Sequence, residues 1–148
     1  MHHSPDKSKE KKLAHFKDIC KHSKIKLTPQ RLVIYNELID SEEHPSTDMV
    51  YQQVKKQFPT ISFDTVNRTL ATFSEIGLAS VVEGTGTPRR YDGNLSKHHH
   101  FQCLSCKKIF DVYDESYNTL DVPEELRNAH TILTVTVRLE GICEQCKG

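Results

Sequence analysis

Of the five cysteines, four form two C-x-x-C pairs, Cys103/Cys106 and Cys143/Cys146, and Cys20 stands apart. Two thiolates separated by two residues can grip one ion from a single turn, and a second such turn completes a tetrahedron. A closed four-sulfur set is the pattern of structural Zn²⁺. Thiol redox chemistry is the weaker reading, because a thioredoxin-like C-x-x-C sits in a βαβ context that this sequence lacks. The 36 residues between Cys106 and Cys143 exceed a simple zinc ribbon. That length is expected if strand, helix and strand intervene and the metal ties the last strand's exit to the first hairpin.

A second set of donors is harder. In the run His98-His99-His100, an extended backbone points His98 and His100 the same way. Asp92 precedes the run by six residues, Asp111 follows the first cysteine pair, and His44 lies in a break before a helix. Taken alone, a histidine trio is as readily surface decoration. Imidazoles joined by carboxylates make a mixed nitrogen and oxygen site suited to Fe²⁺, Mn²⁺ or Zn²⁺. Two sites of different hardness would let one ion stay while the other is exchanged and sensed.

The elements that must position these donors are legible from periodicity. Leu13, Phe16, Ile19 and Cys20 mark a helix over 11–22, after a charged lead-in (1–10) read as flexible. Thr28 caps the next helix, with Pro29 in its first turn and Leu32, Tyr35, Leu38 and Ile39 inward. Ser46/Thr47 open a third helix with Val50, Val54 and Phe58 four apart, stopped by Pro59. Ser62 opens a fourth, with Val66, Leu70, Phe73 and Ile76 buried and Gly77 as its stop. The N-terminal half of its outer face is read as Thr65, Asn67, Arg68 and Thr69. Residues 79–91 read as a β-hairpin around the glycine-rich tip Gly84–Pro88, with Arg89 at its foot. Helices followed by a basic-footed hairpin make a winged helix-turn-helix, whose last helix enters the major groove while the wing rides the backbone.

The expected fold class is α+β in two domains: a winged-helix domain over 1–91, a hinge over 92–97, and a small domain over 98–148. In the last, strands flank the first cysteine pair, a helix covers Val122 to Ala129, and a strand runs through Thr131–Glu140. So small a domain buries little core alone, which makes a metal staple or a partner subunit useful. Charge is divided to match. The chain carries 20 basic and 20 acidic residues, but 7–31 holds nine Lys/Arg against two Asp/Glu, which suits phosphate contact. No run is apolar enough to span a membrane and the first residues do not form a secretory signal, so a cytoplasmic protein is expected.

Leu27-Thr28-Pro29-Gln30-Arg31, His44-Pro45, the Ser62 to Gly77 helix, the histidine run before Cys103 and Gly141-Ile142-Cys143-x-x-Cys146 together resemble the bacterial ferric-uptake-regulator family. The resemblance covers the chain from about residue 11 onwards. It implies a winged-helix DNA-binding domain, a hinge and a C-terminal dimerisation domain with a Cys103/Cys106/Cys143/Cys146 zinc site. The peroxide-sensing branch is the nearer match, because Asp111 stands where the iron-uptake branch has Glu. By motif position its regulatory Fe²⁺ or Mn²⁺ site becomes His44, Asp92, His98, His100 and Asp111, with His44 and His98 the oxidation targets. The resemblance further implies a homodimer on double-stranded operator DNA, released by peroxide, with Arg31, Thr65, Asn67, Arg68, Thr69 and Arg89 facing the duplex. An iron-, manganese- or zinc-responsive repressor without peroxide sensing is the alternative. An additional family site is missing, since Asn118 and Val135 occupy its Glu and His positions. Asn67 replaces a usual Tyr, and Lys107 a common Gly. A metallohydrolase is disfavoured: a zinc deaminase needs His-x-Glu ahead of its C-x-x-C, and none occurs, so no turnover is expected.

Overall fold

Side-chain caps decide where the helices of the first half begin. The computed structural model describes residues 5–41, 44–82 and 89–148, which pack as two compact units, Met1–Leu95 and Ser96–Gly148. In the first unit, Thr28 Oγ1 accepts the Arg31 N–H at 3.2 Å and opens α2 (Pro29–Asp40). Ser46 Oγ accepts from Met49 N at 3.3 Å and opens α3 (Thr47–Val54). Ser62 Oγ does the same for Thr65 N at 3.1 Å at the head of α4 (Phe63–Glu75). Each satisfies a donor that the first turn would otherwise leave unpaired. α4 closes on Gly77, whose φ of +85° lets Leu78 N reach Phe73 O at 2.8 Å.

α1 (Pro5–His22) starts earlier than the apolar stripe, which begins only at residue 11. Lys and Glu are strong helix formers, so charged residues extend the helix where no burial marks it. Its inward residues Phe16 and Cys20 join Ile34, Tyr35, Leu38, Val50, Val54, Val66, Leu70 and Phe73 in one core. Phe16 stacks on Tyr35 at 4.4 Å between ring centroids and meets Phe73 edge-on at 5.6 Å. Burial pushes the Cys20 thiol up, so this cysteine is an inert part of the core. β1 (Ser80–Val82) and β2 (Arg90–Asp92) pair antiparallel with Val81 opposite Tyr91, completing the winged helix-turn-helix. The glycine-rich tip read at Gly84–Pro88 lies outside the described residues.

The second unit is a sheet in the order β4-β3-β5. β3 (His99–Cys103) pairs antiparallel with β4 (Ile109–Val112) and parallel with β5 (Arg138–Gly141). Between β4 and β5 run α5 (Glu115–Asn118) and α6 (Glu124–Ala129), and α7 (Glu144–Lys147) ends the chain. The strand expected over Thr131–Glu140 is corrected: among the described residues only Arg138–Gly141 forms the strand, beginning just after Val137 O accepts from His100 N at 3.2 Å. Of this unit's residues only Ile109 among the aliphatics and aromatics is fully buried, together with Cys103 and Cys143. No helix among the described residues is long and apolar enough to cross a membrane.

Truncating Phe16 removes the ring that holds α1 on the core. Phe16→Ala is expected to cost about 3–5 kcal/mol in urea unfolding, since the stack on Tyr35 leaves little room to collapse. A loss below about 1 kcal/mol would mean α1 is not part of the cooperative unit.

Candidate metal centres and nucleic-acid interface

The four paired cysteines converge. Their sulfurs all lie within 4.8 Å of one another, and Cys106 Sγ is 3.9 Å from Cys143 Sγ. Sulfurs about 2.3 Å from a common zinc in a tetrahedron are about 3.8 Å apart, so the set fits Zn²⁺. The β3–β4 turn supplies one pair and the exit of β5 the other, fastened where Leu104 N donates to Gly141 O at 2.7 Å. Cys103, fully buried, accepts the backbone N–H groups of Cys106 and Cys143, each at 3.4 Å. Those donors hold its thiol down at about 6, favouring the thiolate a metal needs. Hydrogen bonding of its thiol to the sulfurs of Cys143 and then Cys106 pushes Cys146 up to about 12. Four thiols this close cannot all ionise without a cation among them.

Lys107 follows the second cysteine with φ +67°, in the left-handed region, and its N–H reaches Cys103 O at 2.9 Å. The turn is therefore retained without glycine, at the cost of strain in a residue with a Cβ.

Each unit also carries an imidazole facing a carboxylate. In the first, His44 Nε2 lies 3.4 Å from Asp92 Oδ2, both buried. Three links align them: Tyr91 N donates to Pro45 O at 2.9 Å, Ser46 bridges to Arg90, and Arg90 Nη1 donates to His44 O at 3.2 Å. His44 is held at φ +53°, an uncommon backbone for a non-glycine residue. Asp92 Oδ1 accepts from Asn94 N at 2.8 Å, leaving Oδ2 toward the histidine.

In the second unit, Asp111 Oδ1 stands 3.4 Å from His98 Nε2 and 3.5 Å from His100 Nε2. The register that sets His100 opposite Asp111 on β4 brings the three together. His98 Nδ1 donates to Ser96 O at 2.6 Å, so its neutral form has an Nε2 lone pair aimed at the carboxylate. Tyr113 stacks on that ring at 5.5 Å. Donors of about 2.1 Å bond length at right angles sit about 3.0–3.5 Å apart, so these spacings suit a shared cation. The imidazole and carboxylate set fits Fe²⁺ or Mn²⁺.

His99, between two such donors, behaves differently. Val137 N donates to its Nδ1 at 2.9 Å, which puts the proton on Nε2, and Nε2 donates to Asn118 Oδ1 at 2.6 Å. Both nitrogens are committed, so His99 offers no lone pair to a metal. Asn118 is one of the two residues expected, from the family resemblance, at the positions of an additional site. Lys97 Nζ donates to the carbonyl of the other, Val135.

The outer face of α4 presents Asn67 and Arg68, both exposed, with Thr65 half-buried and bonded to Ser62 Oγ at 2.9 Å. Arg68 pairs with Asp64 at 2.6 Å; such an exposed pair is worth about 0–1 kcal/mol and yields readily to a phosphate. Thr69 is a correction: it is buried and donates to Thr65 O at 2.7 Å. Three residues after Val66, it falls on the inward stripe. Arg31 is half-buried with Nη1 on Lys26 O, whereas Arg89 is exposed. Sequence reasoning missed the Ser96 carbonyl, Tyr113 and a bond from Thr47 to Asn67; only Asn94, two residues after Asp92, has a recognisable turn signature.

A winged helix-turn-helix unit, followed by a sulfur-stapled sheet with imidazole–carboxylate pairs, defines a metal-binding transcriptional regulator. Residues 22–141 match the ferric uptake regulator family, and the chain belongs to it. The peroxide-responsive repressor PerR of Staphylococcus epidermidis is 35% identical over 126 residues, covering 83% of this chain and 82% of that protein. Among solved structures, the Helicobacter pylori ferric uptake regulator Fur shares the fold with a TM-score of 0.75 at 22% identity, covering 94% of this chain and 93% of its own. The Campylobacter jejuni peroxide stress regulator aligns with a TM-score of 0.61 at 27% identity, covering 90% and 98%.

Two outcomes follow for the sulfur site. A thiolate held down at about 6 stabilises the fold fully above the ordinary thiol range and loses that contribution as pH falls through about 6. Bound zinc holds the thiolates ionised to lower pH still, so release to a chromophoric chelator should stay low down to about 6 and rise as pH falls further; release independent of pH would contradict the site. Lys107→Gly relieves a left-handed residue and should raise the stability of the zinc-loaded protein by up to about 1 kcal/mol in thermal unfolding.

Proposed function

We propose that the protein is a metal-dependent repressor that binds operator DNA as a homodimer and is released when peroxide oxidises a ligand of its regulatory Fe²⁺. The observation that carries the reading is the imidazole–carboxylate pair in each unit, His44 with Asp92 and His98/His100 with Asp111. Neither set alone fills the coordination sphere of a six-coordinate cation. In this reading one ion is held by all five side chains, so its binding energy fixes the orientation of the winged-helix units for successive major grooves about 34 Å apart. That is allostery in the strict sense, since the cation prefers the state in which both sets engage it.

When bound, Fe²⁺ supplies the chemistry that turns peroxide into a local oxidant, and Mn²⁺ does not readily do so. His44 and His98 are the side chains proposed to take up one oxygen at a ring carbon, the second peroxide oxygen leaving as water. An oxidised ring donates poorly, and the clasp loosens. The similarity to a peroxide-responsive repressor supports this branch of the family over an iron-, manganese- or zinc-responsive one. The four-sulfur zinc site stays out of the cycle.

Homodimerisation through the second unit is supported by its exposed apolar side chains, Leu120, Leu126, Ile132, Leu133 and Leu139, in a domain with almost no core. DNA contact is assigned to α4 and to Arg89 at the foot of the hairpin. The reading includes a cytoplasmic location and no catalytic turnover.

The protein, loaded in turn with Fe²⁺ and Mn²⁺, is treated with peroxide, digested and analysed by mass spectrometry. A gain of one oxygen on peptides bearing His44 or His98, in the Fe²⁺ form only and together with loss of DNA binding, is expected. Alanine at His44 or Asp92 should abolish metal-dependent DNA binding while leaving zinc content unchanged. An Fe²⁺ form that stays unmodified and bound would leave a metal-responsive repressor and remove the peroxide assignment.

A further inference from the structure

The exposed face of α4 contains one side chain that the fold has already oriented. Thr47, the first residue of α3 and almost fully buried, donates its hydroxyl to Asn67 Oδ1 at 3.0 Å. Asn67 itself is exposed, in the N-terminal half of α4. The bond joins the two helices of the helix-turn-helix through a side chain that faces outward. Because the amide oxygen is engaged, the amide nitrogen turns away from Thr47, and its two N–H groups lead.

Free asparagine in a major groove reads adenine by using both ends of its amide, accepting from the adenine amino group and donating to the ring nitrogen. An asparagine whose oxygen is tied to its own protein keeps a second lone pair, but its amide is fixed with the N–H groups leading, which biases it toward donation. It matches best an edge whose acceptors have no amino donor beside them, guanine through O6 and N7 or thymine through O4, whereas adenine sets its N6 amino group against those N–H groups next to N7. Arg68, the next residue, is paired to Asp64 on the same face and is the natural phosphate or guanine partner, so the two neighbours differ in role.

We propose that Thr47 and Asn67 form a specificity device, in which Thr47 locks the Asn67 amide so that its N–H groups read an acceptor-bearing base, guanine or thymine, and select against adenine at that position. This rests on the reading of α4 as the DNA-contacting helix. Thr47 touches no base and is a positioning residue; Asn67 makes the contact.

The test is selection of bound sequences from a randomised duplex library by the full-length Mn²⁺-loaded protein, comparing wild type with Asn67→Ala and Thr47→Val. Wild type should enrich guanine or thymine at one base pair in each half-site. Asn67→Ala should flatten that single position about tenfold while the rest of the enriched sequence stands. Thr47→Val, which keeps the side-chain shape and removes the hydroxyl, should instead let adenine in at the same position. Asn67 is exposed, so its variant is expected to melt with wild type and remains informative if Thr47→Val is destabilised. If Asn67→Ala weakens every sequence by one factor, the contact is to phosphate and the proposal is overturned. It is equally overturned if enrichment is unchanged, or if wild type already prefers adenine there. If wild type enriches no sequence with any divalent metal, it is the DNA-binding reading that fails.

Discussion

An imidazole nitrogen and a carboxylate oxygen set 3.4 Å apart and shielded from water need a positive charge between them, supplied either by a proton or by a cation that both can ligate. In the first unit the backbone holds His44 and Asp92 in that relation: the Pro45 carbonyl, the Ser46 bridge and Arg90 fix one side, and the Asn94 amide the other. In the second, the Ser96 carbonyl takes the proton of His98, and the β3–β4 register presents His100 to Asp111. Left-handed backbone at His44 is the local cost of holding that pair, and a pair held at such a cost suits a cation that both side chains can ligate.

The second unit depends on a different cation for a different reason. With one aliphatic side chain fully buried, its sheet lacks the apolar area that normally offsets chain entropy. The sulfur cluster closes β5 onto the β3–β4 turn and replaces part of that missing core. Sulfur donors bind zinc softly and permanently, while nitrogen and oxygen donors bind Fe²⁺ or Mn²⁺ exchangeably. The donor chemistry alone therefore suits two roles: a structural ion at the sulfurs and an exchangeable one at the imidazoles and carboxylates. His99 keeps the two from being joined by a third, because its nitrogens are already spent on Val137 and Asn118.

Much of this was legible in the residues. Thr28, Ser46 and Ser62 announced three helix starts because a cap is a local matter of one side chain and the following turn. The cysteine pairs and the alternate histidines were legible because ligand chemistry demands few residue types at narrow spacings. Thr69 was not, since a threonine is equally at home facing water or bonding the preceding turn, and only the burial of its side of α4 decides. The segment before Arg138 alternates as a strand should, yet alternation records which side chains can share a face, not whether a neighbouring strand exists to take up the backbone. The charged start of α1 was hidden for the converse reason: helix propensity acts without burial and leaves no apolar stripe.

The residues that depart from the family pattern are the informative ones, because each is absorbed by a different physical route. Lys107 keeps a glycine's backbone angle and bears the strain, so function at the cysteines survives through geometry. Asn118, expected at a donor position of an additional site, spends its side chain on a neutral hydrogen bond to His99. At Asn67, where the family resemblance leads one to expect a large aromatic, a small amide stands on the outer face of α4, and Thr47, one helix away, bonds it into a single orientation. A turn has one allowed shape and a metal needs its full set of donors, so the first two changes can only preserve or delete. A base-reading position has four possible partners, and a change there, once fixed in direction, can move the protein to another sequence without disturbing either metal.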